Sequence, residues 1–193
     1  MGLVLDEKLN WQAHIEHIKN KVIPLTGALN RCKYFLSDKA RYNIYNTYFL
    51  SVIRYLIPIW GTCNVTNFNK VKVLQNRILK TLFNLHYKTP SNSVYEMLNV
   101  QPIYKILKLE QAKLIHKIKS KKQKCNIEIV HLNQVHDYNT RNCQDIHLPN
   151  VRTNVALRNP LSEASRSFND LPQSIKMERS YKKFVKLLKG YLA

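Results

Sequence analysis

The chain has 193 residues, 45% of them apolar, and its 31 Lys and Arg against 12 Asp and Glu give a formal net charge of +19. The apolar fraction argues against an intrinsically disordered chain, and the presence of only four glycines argues against an all-β protein rich in tight turns. A compact chain with this charge repels itself and binds polyanions. Nucleic acid is the first candidate, ahead of an anionic membrane surface or an acidic protein.

Cysteine spacing and the start of the chain bear on its compartment. The four cysteines are far apart and form no Cys-x-x-Cys pair. We expect no signal peptide, because Asp6, Glu7 and Lys8 directly follow the short apolar run. We therefore expect free thiols in a reducing intracellular compartment rather than secretion. The long apolar stretch 42–60 carries Arg54 in its second half, where a charge is costly in lipid, so we expect a helix buried in protein and no membrane span.

The first predicted elements are a short strand and a long helix. Leu3 to Leu5 form an apolar run typical of a buried strand, which needs a neighbouring strand to pair its backbone groups. From Trp11 to Leu36, apolar residues recur at steps of three and four, which predicts a helix with one buried face. Pro24 should kink or interrupt this helix. Its apolar stripe consists of Ile15, Ile18, Val22, Leu25 and Leu29.

Further helices follow with short connections. Ser37 is a good N-cap for a second helix that ends near Gly61 and is apolar nearly all round, so we expect other elements to surround it. Thr66 should cap a third helix, and after a short fourth one Pro102 begins a long basic helix reaching about Lys122. The apolar stripe of the third helix consists of Phe68, Val71, Leu74, Ile78 and Leu82. Helices in this succession predict an all-α helical bundle.

The character of the sequence changes after Lys124. Residues 125–160 hold short apolar groups with many Asn and His and no sustained period, which predicts extended chain or loop. A last amphipathic helix is expected because Phe184, Leu187, Leu188 and Tyr191 share one face. The predicted organisation is a strand remnant at 1–10, a helical domain at 11–124, an irregular tail at 125–175 and a C-terminal amphipathic helix at 176–193.

Motifs of known enzyme classes do not occur. The sequence has no Gly-rich phosphate loop, no Gly-x-Ser-x-Gly and no His-Glu-x-x-His, and its acidic residues are scattered, so we expect no catalytic residues. Asp6 and Glu7 are adjacent but are more typical of a helix start. The sequence does not favour a zinc site, because only the last two of its potential ligands are closely spaced. Those potential ligands are His131, His136, Cys143 and His147.

Positive charge accompanies the predicted helices. Basic residues cluster at the first helix junction and recur along the third and fifth helices, and two neutral amides lie beside them in the third. Such residues bind successive phosphates of a duplex without reading its sequence, and the amides reach sugar hydroxyls. A merely solvated helix face is the alternative, most of all for the fifth helix. The predicted nucleic-acid contacts are Lys33, Arg41, Lys70, Lys72, Gln75, Asn76, Arg77, Lys80, Lys113 and Lys117.

A series of short motifs occurs in a fixed order. The pattern Tyr-Leu-Gly-Val-x-Leu-Asp followed by Leu-x-Trp-x-x-His-Ile is matched at Gly2, Leu5, Asp6, Leu9, Trp11, His14 and Ile15. The later motifs are "RYLIPIWG" at 54–61, "LQNRIL" at 74–79, "TP" at 89–90, "QPI" at 101–103, "HDYNTR" at 136–141, "FNDLP" at 168–172 and "FVKLLKGYL" at 184–192. In this order they resemble the C-terminal part of a reverse transcriptase from a non-LTR (LINE-type) retrotransposon of the jockey-like group. Leu56 and Phe168 depart from the family pattern, where Gly and Trp are usual.

The resemblance implies the thumb helices and tail of an RNA-directed DNA polymerase. In that family the first strand belongs to the palm sheet, and the catalytic aspartates that bind Mg²⁺ lie upstream. We therefore expect no cofactor and no catalysis in this chain. Thumb helices of the family lie against the template–primer duplex, so the expected partner is RNA or an RNA–DNA duplex, including the element's own RNA. The expected location is the nucleus or a cytoplasmic ribonucleoprotein.

Three alternatives stay open at this point. If the gene extends upstream, the product is a polymerase-active enzyme, and an in-frame Tyr/Phe-x-Asp-Asp box would favour it. A decayed fragment would fold poorly, which light scattering and proteolysis test. A helical protein-interaction module would bind an acidic partner with no preference for nucleic acid.

Overall fold

The computed structural model describes residues 2–120, 129–135 and 143–192, and the chain divides into two compact units, Met1–Ile106 and Leu107–Ala193. The boundary falls within one helix, Ile103–Lys119. Some sequence predictions lie outside the described residues. They concern the motif at 136–141, His136 as a metal ligand, and the end of the predicted basic helix near Lys122.

The first unit is built from helices joined by short connections. Its long helices, α1 (Gln12–Cys32) and α5 (Val65–Leu82), pack against each other. The shorter segments of this unit are the 3₁₀ turn Lys33–Phe35, α2 (Asp38–Ile44), the π-helical segment Tyr45–Leu50, α3 (Ser51–Arg54), α4 (Ile57–Trp60) and α6 (Ser91–Met97). The helix that crosses the boundary, α7 (Ile103–Lys119), begins here.

The second unit contains the rest of α7 and a set of shorter helices. These are α8 (Leu132–Val135), α9 (Asn154–Leu157), α10 (Pro160–Asn169), α11 (Gln173–Lys176) and α12 (Tyr181–Leu192). The described residues form no sheet, and the one extended pairing among them is an isolated bridge between His131 and Ile146. The prediction of an all-α helical bundle is confirmed.

The prediction of an N-terminal strand at Leu3 to Leu5 is wrong. Residues 2–5 have no regular structure, and Val4 and Leu5 are exposed rather than buried. The described part of the chain offers no strand beside them, and an extended segment with no neighbour forms no backbone ladder. An apolar run alone therefore does not make a strand here.

Asp6 fixes the beginning of α1. Its carboxylate oxygens accept hydrogen bonds from the backbone N–H groups of Asn10 at 2.6 Å and Gln12 at 3.1 Å. Trp11, the residue before the helix, has φ 59°, a left-handed conformation that is strained for a residue with a bulky side chain. Burial of its indole, with the ring centroid 6.4 Å from that of His14, offsets this strain.

Helix α1 follows the predicted stripe and buries it. It continues from Gln12 to Cys32, so Pro24 and Gly27 do not interrupt it. The buried apolar residues of the helix are Ile15, Ile18, Val22 and Leu29, four of the five predicted. Because they recur at steps of three, four and seven, one side of α1 faces the core of the first unit.

The second predicted helix is segmented. Ser37 caps it as predicted, since its hydroxyl oxygen accepts from the backbone N–H of Ala40 at 3.3 Å. The helical path continues through the π-helical segment and α3, breaks at Leu56, whose φ is 50°, and ends at Trp60, next to Gly61. Its buried apolar side chains are Tyr45, Phe49, Val52, Ile53, Ile57 and Trp60, which form much of the core of this unit.

Helix α5 begins slightly earlier than predicted. Its cap is Asn64, whose side-chain oxygen accepts from the backbone N–H of Asn67 at 2.8 Å, and not Thr66, which lies inside the helix. Asn and Thr are both good caps, so sequence alone did not separate them. The predicted stripe is otherwise present, with Val71, Leu74, Ile78 and Leu82 buried.

The second unit has its own apolar core. Its helix α10 lies within the segment predicted to be irregular, and Asn159 caps it by accepting from the backbone N–H of Leu161 at 2.9 Å. Pro160 suits the first helical position because its missing N–H would have no partner there. The core residues are Leu109, Ala112, Ile115, Ile146, Ala164, Phe168, Leu171, Ile175, Phe184 and Leu188.

Candidate nucleic-acid interface

A cleft of about 470 Å³ opens on the surface of the first unit. The last turn of α1 and the 3₁₀ turn after it contribute Asn30 and Lys33. One side of α5 forms a second wall, and the connection to α6 contributes Tyr87 and, at the first residue of α6, Ser91. This volume lies within the range of about 300–1,000 Å³ that is typical of pockets for small organic ligands.

The periodicity of α5 places one set of its residues at the cleft and another set in the core. Val73, Asn76, Arg77 and Lys80 line the cleft, and their spacing of three and four residues places them on one side of the helix. The adjoining side is buried in the unit; it consists of Val71, Leu74, Gln75, Ile78, Leu79 and Leu82. A single helix therefore supplies both the support of the site and part of its surface.

The charge in the cleft is of one sign. Lys33, Arg77 and Lys80 line it, and none of the described residues that line it is acidic. Arg77 is exposed, while Lys33 and Lys80 are half-buried. The Lys80 ammonium donates to the backbone oxygen of Tyr87 at 2.8 Å, which fixes its position and leaves two of its three N–H donors for a ligand. This charge is complementary to that of an anion such as a phosphate, and the described lining holds no carboxylate to neutralise it.

Arg41 supports this cleft without lining it. Its guanidinium donates from Nη2 to the backbone oxygen of Lys33 at 2.8 Å and from Nη1 to Asp38 Oδ1 at 3.0 Å. The bond to Lys33 joins α2 to the 3₁₀ turn from which Lys33 projects, and the bond to Asp38, within α2, holds the guanidinium in place. The structure thus gives the predicted contact Arg41 a positioning role toward Lys33.

Gln75 departs from the prediction that it contacts nucleic acid. Its side chain is fully buried, and the described structure provides partners for both of its polar atoms. Nε2 donates to Tyr45 Oη at 2.8 Å and to the backbone oxygen of Gln101 at 3.0 Å. Oε1 accepts from the backbone N–H of Ile103 at 2.9 Å and from Tyr95 Oη at 3.3 Å. A buried amide engaged in this way ties elements of the core together, and Gln75 has no exposed polar atom with which to contact nucleic acid.

The tyrosines around Gln75 are held in their neutral form. Burial raises the pKa of Tyr95 to about 12, with a hydrogen bond from Asn76 acting in the opposite direction. Burial likewise raises the pKa of Tyr45 well above its usual value, although the hydrogen bond from Gln75 lowers it in part. Both phenols therefore keep their protons at neutral pH and remain available as donors.

Asn76, unlike Gln75, lies at the cleft. Its Nδ2 donates to Ser91 Oγ at 2.8 Å, which joins α5 to the start of α6 across the cleft floor. The sequence predicts the two amides together as sugar contacts. One position of difference on the helix places Gln75 in the core and Asn76 at the surface cleft.

The other predicted cations lie elsewhere. Lys70 and Lys72 are half-buried residues of α5 that are not among the described lining residues of the cleft. The positive charge of Lys70 instead interacts with the carboxylate of Glu16. The pKa of Glu16 is lowered mainly by the hydrogen bond from Lys19, and to a smaller extent by the charges of Lys19 and Lys70.

The remaining two predicted contacts belong to the second unit. Lys113 forms an ion pair with Glu110 at 2.9 Å on the same helix. Lys117 is exposed, and its Nζ lies 5.4 Å from the ring centroid of Tyr181. Both residues have interactions of their own within that unit.

Tyr87 is one of the lining residues that the sequence interpretation missed, with Asn30, Val73, Thr81, Leu85 and Ser91. It is 73% exposed and lies in the loop between α5 and α6, between His86 and Lys88. An aromatic residue flanked by basic ones in a polar loop is a usable sequence signal, because a large ring with no apolar neighbours in sequence has no evident core to join.

Metal binding and membrane insertion find no support in the described part of the chain. No group of three or more His, Cys, Asp and Glu side chains among those residues could hold a metal ion. Of the helices that the structure describes, none combines the length and apolar character needed to cross a membrane.

Comparison with known proteins bears on the origin of the chain. It is similar to the "Probable RNA-directed DNA polymerase from transposon BS" of Drosophila melanogaster. The two are 25% identical over 107 residues, which are 53% of this chain and 12% of that relative's length. No family model matches, and no solved structure matches. The similarity supports an origin related to a mobile-element RNA-directed DNA polymerase, in agreement with the ordered motifs.

Proposed function

We propose that this chain is the thumb-like C-terminal part of a LINE-type retrotransposon reverse transcriptase, and that it binds RNA or an RNA–DNA duplex through backbone phosphates. It holds no catalytic aspartates of its own and acts beside a polymerase core. The observation that carries the binding function is the convergence of Lys33, Arg77 and Lys80 on a cleft with no acidic residue among its described lining.

The polymerase lineage rests on two features of the sequence. One is the similarity to a transposon polymerase, and the other is the order of the motifs along the chain. The non-catalytic role follows from the resemblance, because the family's Mg²⁺-binding aspartates lie upstream of the matched motifs. A primer-extension assay of the purified chain with Mg²⁺ should accordingly give no product, and any template-dependent extension would refute this role.

The binding function is tested by titrating a labelled RNA–DNA hybrid duplex with the purified chain and measuring fluorescence anisotropy at several NaCl concentrations. We expect the logarithm of the association constant to fall linearly with the logarithm of the salt concentration. Replacing Lys33, Arg77 and Lys80 together by Ala should weaken binding and reduce the magnitude of that slope by about two to three, one unit for each lost phosphate contact.

A matched control removes the same charge from another place. Lys8, Lys21 and Lys39 are exposed residues of the first unit that do not appear in the described lining of the cleft. Replacing these three by Ala should leave the slope nearly unchanged. Equal losses in the two triple variants would show that total charge, rather than the cleft, binds the duplex, and binding that is nearly independent of salt would exclude the phosphate mechanism.

A helical protein-interaction module is the second candidate function. Phe35 is 89% exposed and Tyr34 is 69% exposed in the 3₁₀ turn, and apolar rings at a surface favour contact with another protein. Titration with polyglutamate separates the two functions. Binding as tight as that of the hybrid duplex would favour an acidic protein partner.

A further inference from the structure

We propose that the cleft holds one unpaired nucleotide, with its base stacked on the ring of Tyr87 and its phosphate bound by Arg77 and Lys80. The chain then prefers a hybrid duplex that ends in a single-stranded extension over a blunt one. This inference rests on the proposed nucleic-acid binding and specifies which part of the nucleic acid enters the cleft.

The backbone around Tyr87 is fixed, while the residue itself stays exposed. The Lys80 ammonium donates to its backbone oxygen at 2.8 Å, and the backbone N–H of Thr89 donates to the oxygen of His86 at 3.0 Å, which closes the turn. Tyr87 is 73% exposed. The centroid of its ring lies 4.6 Å from that of the His86 imidazole and 5.7 Å from the Lys88 ammonium nitrogen. An exposed ring on a braced loop is a stacking platform for a base.

The neutral donors of the cleft suit a nucleotide better than a phosphate alone. Asn30, Asn76 and Ser91 line the cleft beside the cations. Asn76 donates to Ser91 Oγ and to the Tyr95 hydroxyl oxygen, so Asn30 and the Ser91 hydroxyl supply the neutral donors. Amides and hydroxyls bind the ribose 2′-hydroxyl and the base edges, and the Watson–Crick edges are free only in an unpaired nucleotide.

A paired duplex uses only part of this surface. Its phosphates reach the cations, but its internal bases are stacked on one another and their edges are paired, so none of these internal bases can lie flat on Tyr87. A nucleotide with a free base reaches the cations, the neutral donors and the ring together. The combined lining therefore selects an unpaired nucleotide over a duplex contact.

The test compares four labelled ligands of the same strand sequence. They are a blunt RNA–DNA hybrid, the same hybrid with a short unpaired extension, the same hybrid with an abasic extension, and the single strand alone. We expect the base-containing extension to bind more tightly than the blunt and abasic forms. Because the abasic extension keeps its phosphates, the difference between the two extensions isolates the base.

Variants of Tyr87 then localise the effect. Tyr87→Ala should weaken binding of the extended hybrid about tenfold, as expected for the loss of one stacked base, and leave the blunt hybrid unchanged. Tyr87→Trp should keep the preference, and its emission should be quenched when the extension binds. Tyr48→Ala, at a tyrosine that is 57% exposed and not among the described lining residues, should have no effect.

The outcomes separate this inference from the proposed function. Equal binding of the blunt and extended hybrids by the unmodified chain overturns the inference, and so does a Tyr87→Ala variant that binds all ligands normally. If the inference fails but replacing Lys33, Arg77 and Lys80 by Ala still weakens binding of both the blunt and the extended hybrid, the proposed phosphate binding stands. If the unmodified chain binds none of the ligands, the proposed function fails and the inference falls with it.

Discussion

The side-chain amide of Gln75 donates a 2.8 Å hydrogen bond to the hydroxyl oxygen of Tyr45, and both side chains are buried in the first unit. Through its other bonds Gln75 also reaches Tyr95, Gln101 and Ile103. Gln75 thus links α5 to the π-helical segment, to α6 and to the start of α7.

Replacing Gln75 by Ala should lower the free energy of unfolding by about 3 kcal/mol, because it leaves several buried donors and acceptors without partners. Urea denaturation followed by circular dichroism measures this. Asn69→Ala, at an exposed position of the same helix, should change stability by less than about 0.5 kcal/mol. A Gln75→Ala variant with normal stability and weakened duplex binding would show instead that Gln75 contacts nucleic acid.

Asp6 should matter for the stability of α1. Asp6→Ala removes the acceptor of two backbone N–H groups at the start of the helix, and we expect a loss of about 1 kcal/mol in thermal or urea unfolding. The neighbouring exposed acid, Glu7, offers a matched control, because Glu7→Ala removes the same charge without these bonds. Equal losses in the two variants would mean that charge near the helix start, and not the cap, is responsible.

The stability of the first unit should fall on mild acidification. Burial, and to a smaller extent the charge of His17, lowers the pKa of His14 below its usual value of 6.5. The unfolded chain therefore binds a proton at this site more readily than the folded chain, and the free energy of unfolding decreases as the pH falls below 6.5.

His14→Gln removes this titrating group. Its stability should change less than that of the unmodified chain between about pH 7 and about pH 5. The same measurement on His17→Gln, at the exposed neighbour, provides the control. An unchanged pH dependence in His14→Gln would show that other groups account for the acid sensitivity.

In the second unit, the ion pair between Lys176 and Asp145 should contribute more than a surface pair. The two atoms are 2.9 Å apart, and the side chains are 9% and 12% exposed. Lys176→Ala leaves the carboxylate nearly buried without this cation, and we expect a loss of about 2–4 kcal/mol.

The pair between Lys19 and Glu16 is the matched surface case. It has the same 2.9 Å separation, but its side chains are 31% and 41% exposed, so Lys19→Ala should cost less than about 1 kcal/mol. Thermal unfolding of Lys176→Ala and Lys19→Ala measures the two losses of stability. Similar losses for the two would mean that burial does not set the strength of the Lys176 pair.

The amino-acid sequence by itself determined the helical character of this protein. Periodicity is a local property, so the buried stripes of α1 and α5, the cap at Ser37 and the final amphipathic helix follow from residues a few positions apart. The excess of Lys and Arg is equally a property of the sequence, and it favours a polyanionic partner whatever the fold. Helix α10 was missed because it spans only ten residues and its buried face includes Ala164 and Ser165, which do not mark a core position by residue type.

The tertiary structure alone decided which cations form a site. Lys33 and Lys80 are far apart in sequence and meet at one cleft only because α1 packs against α5. The same packing buried Gln75 and left Asn76, its neighbour in sequence, at the surface. Amino-acid composition sets the charge and periodicity sets the helices, but the position of each side chain depends on contacts between residues that are distant in sequence.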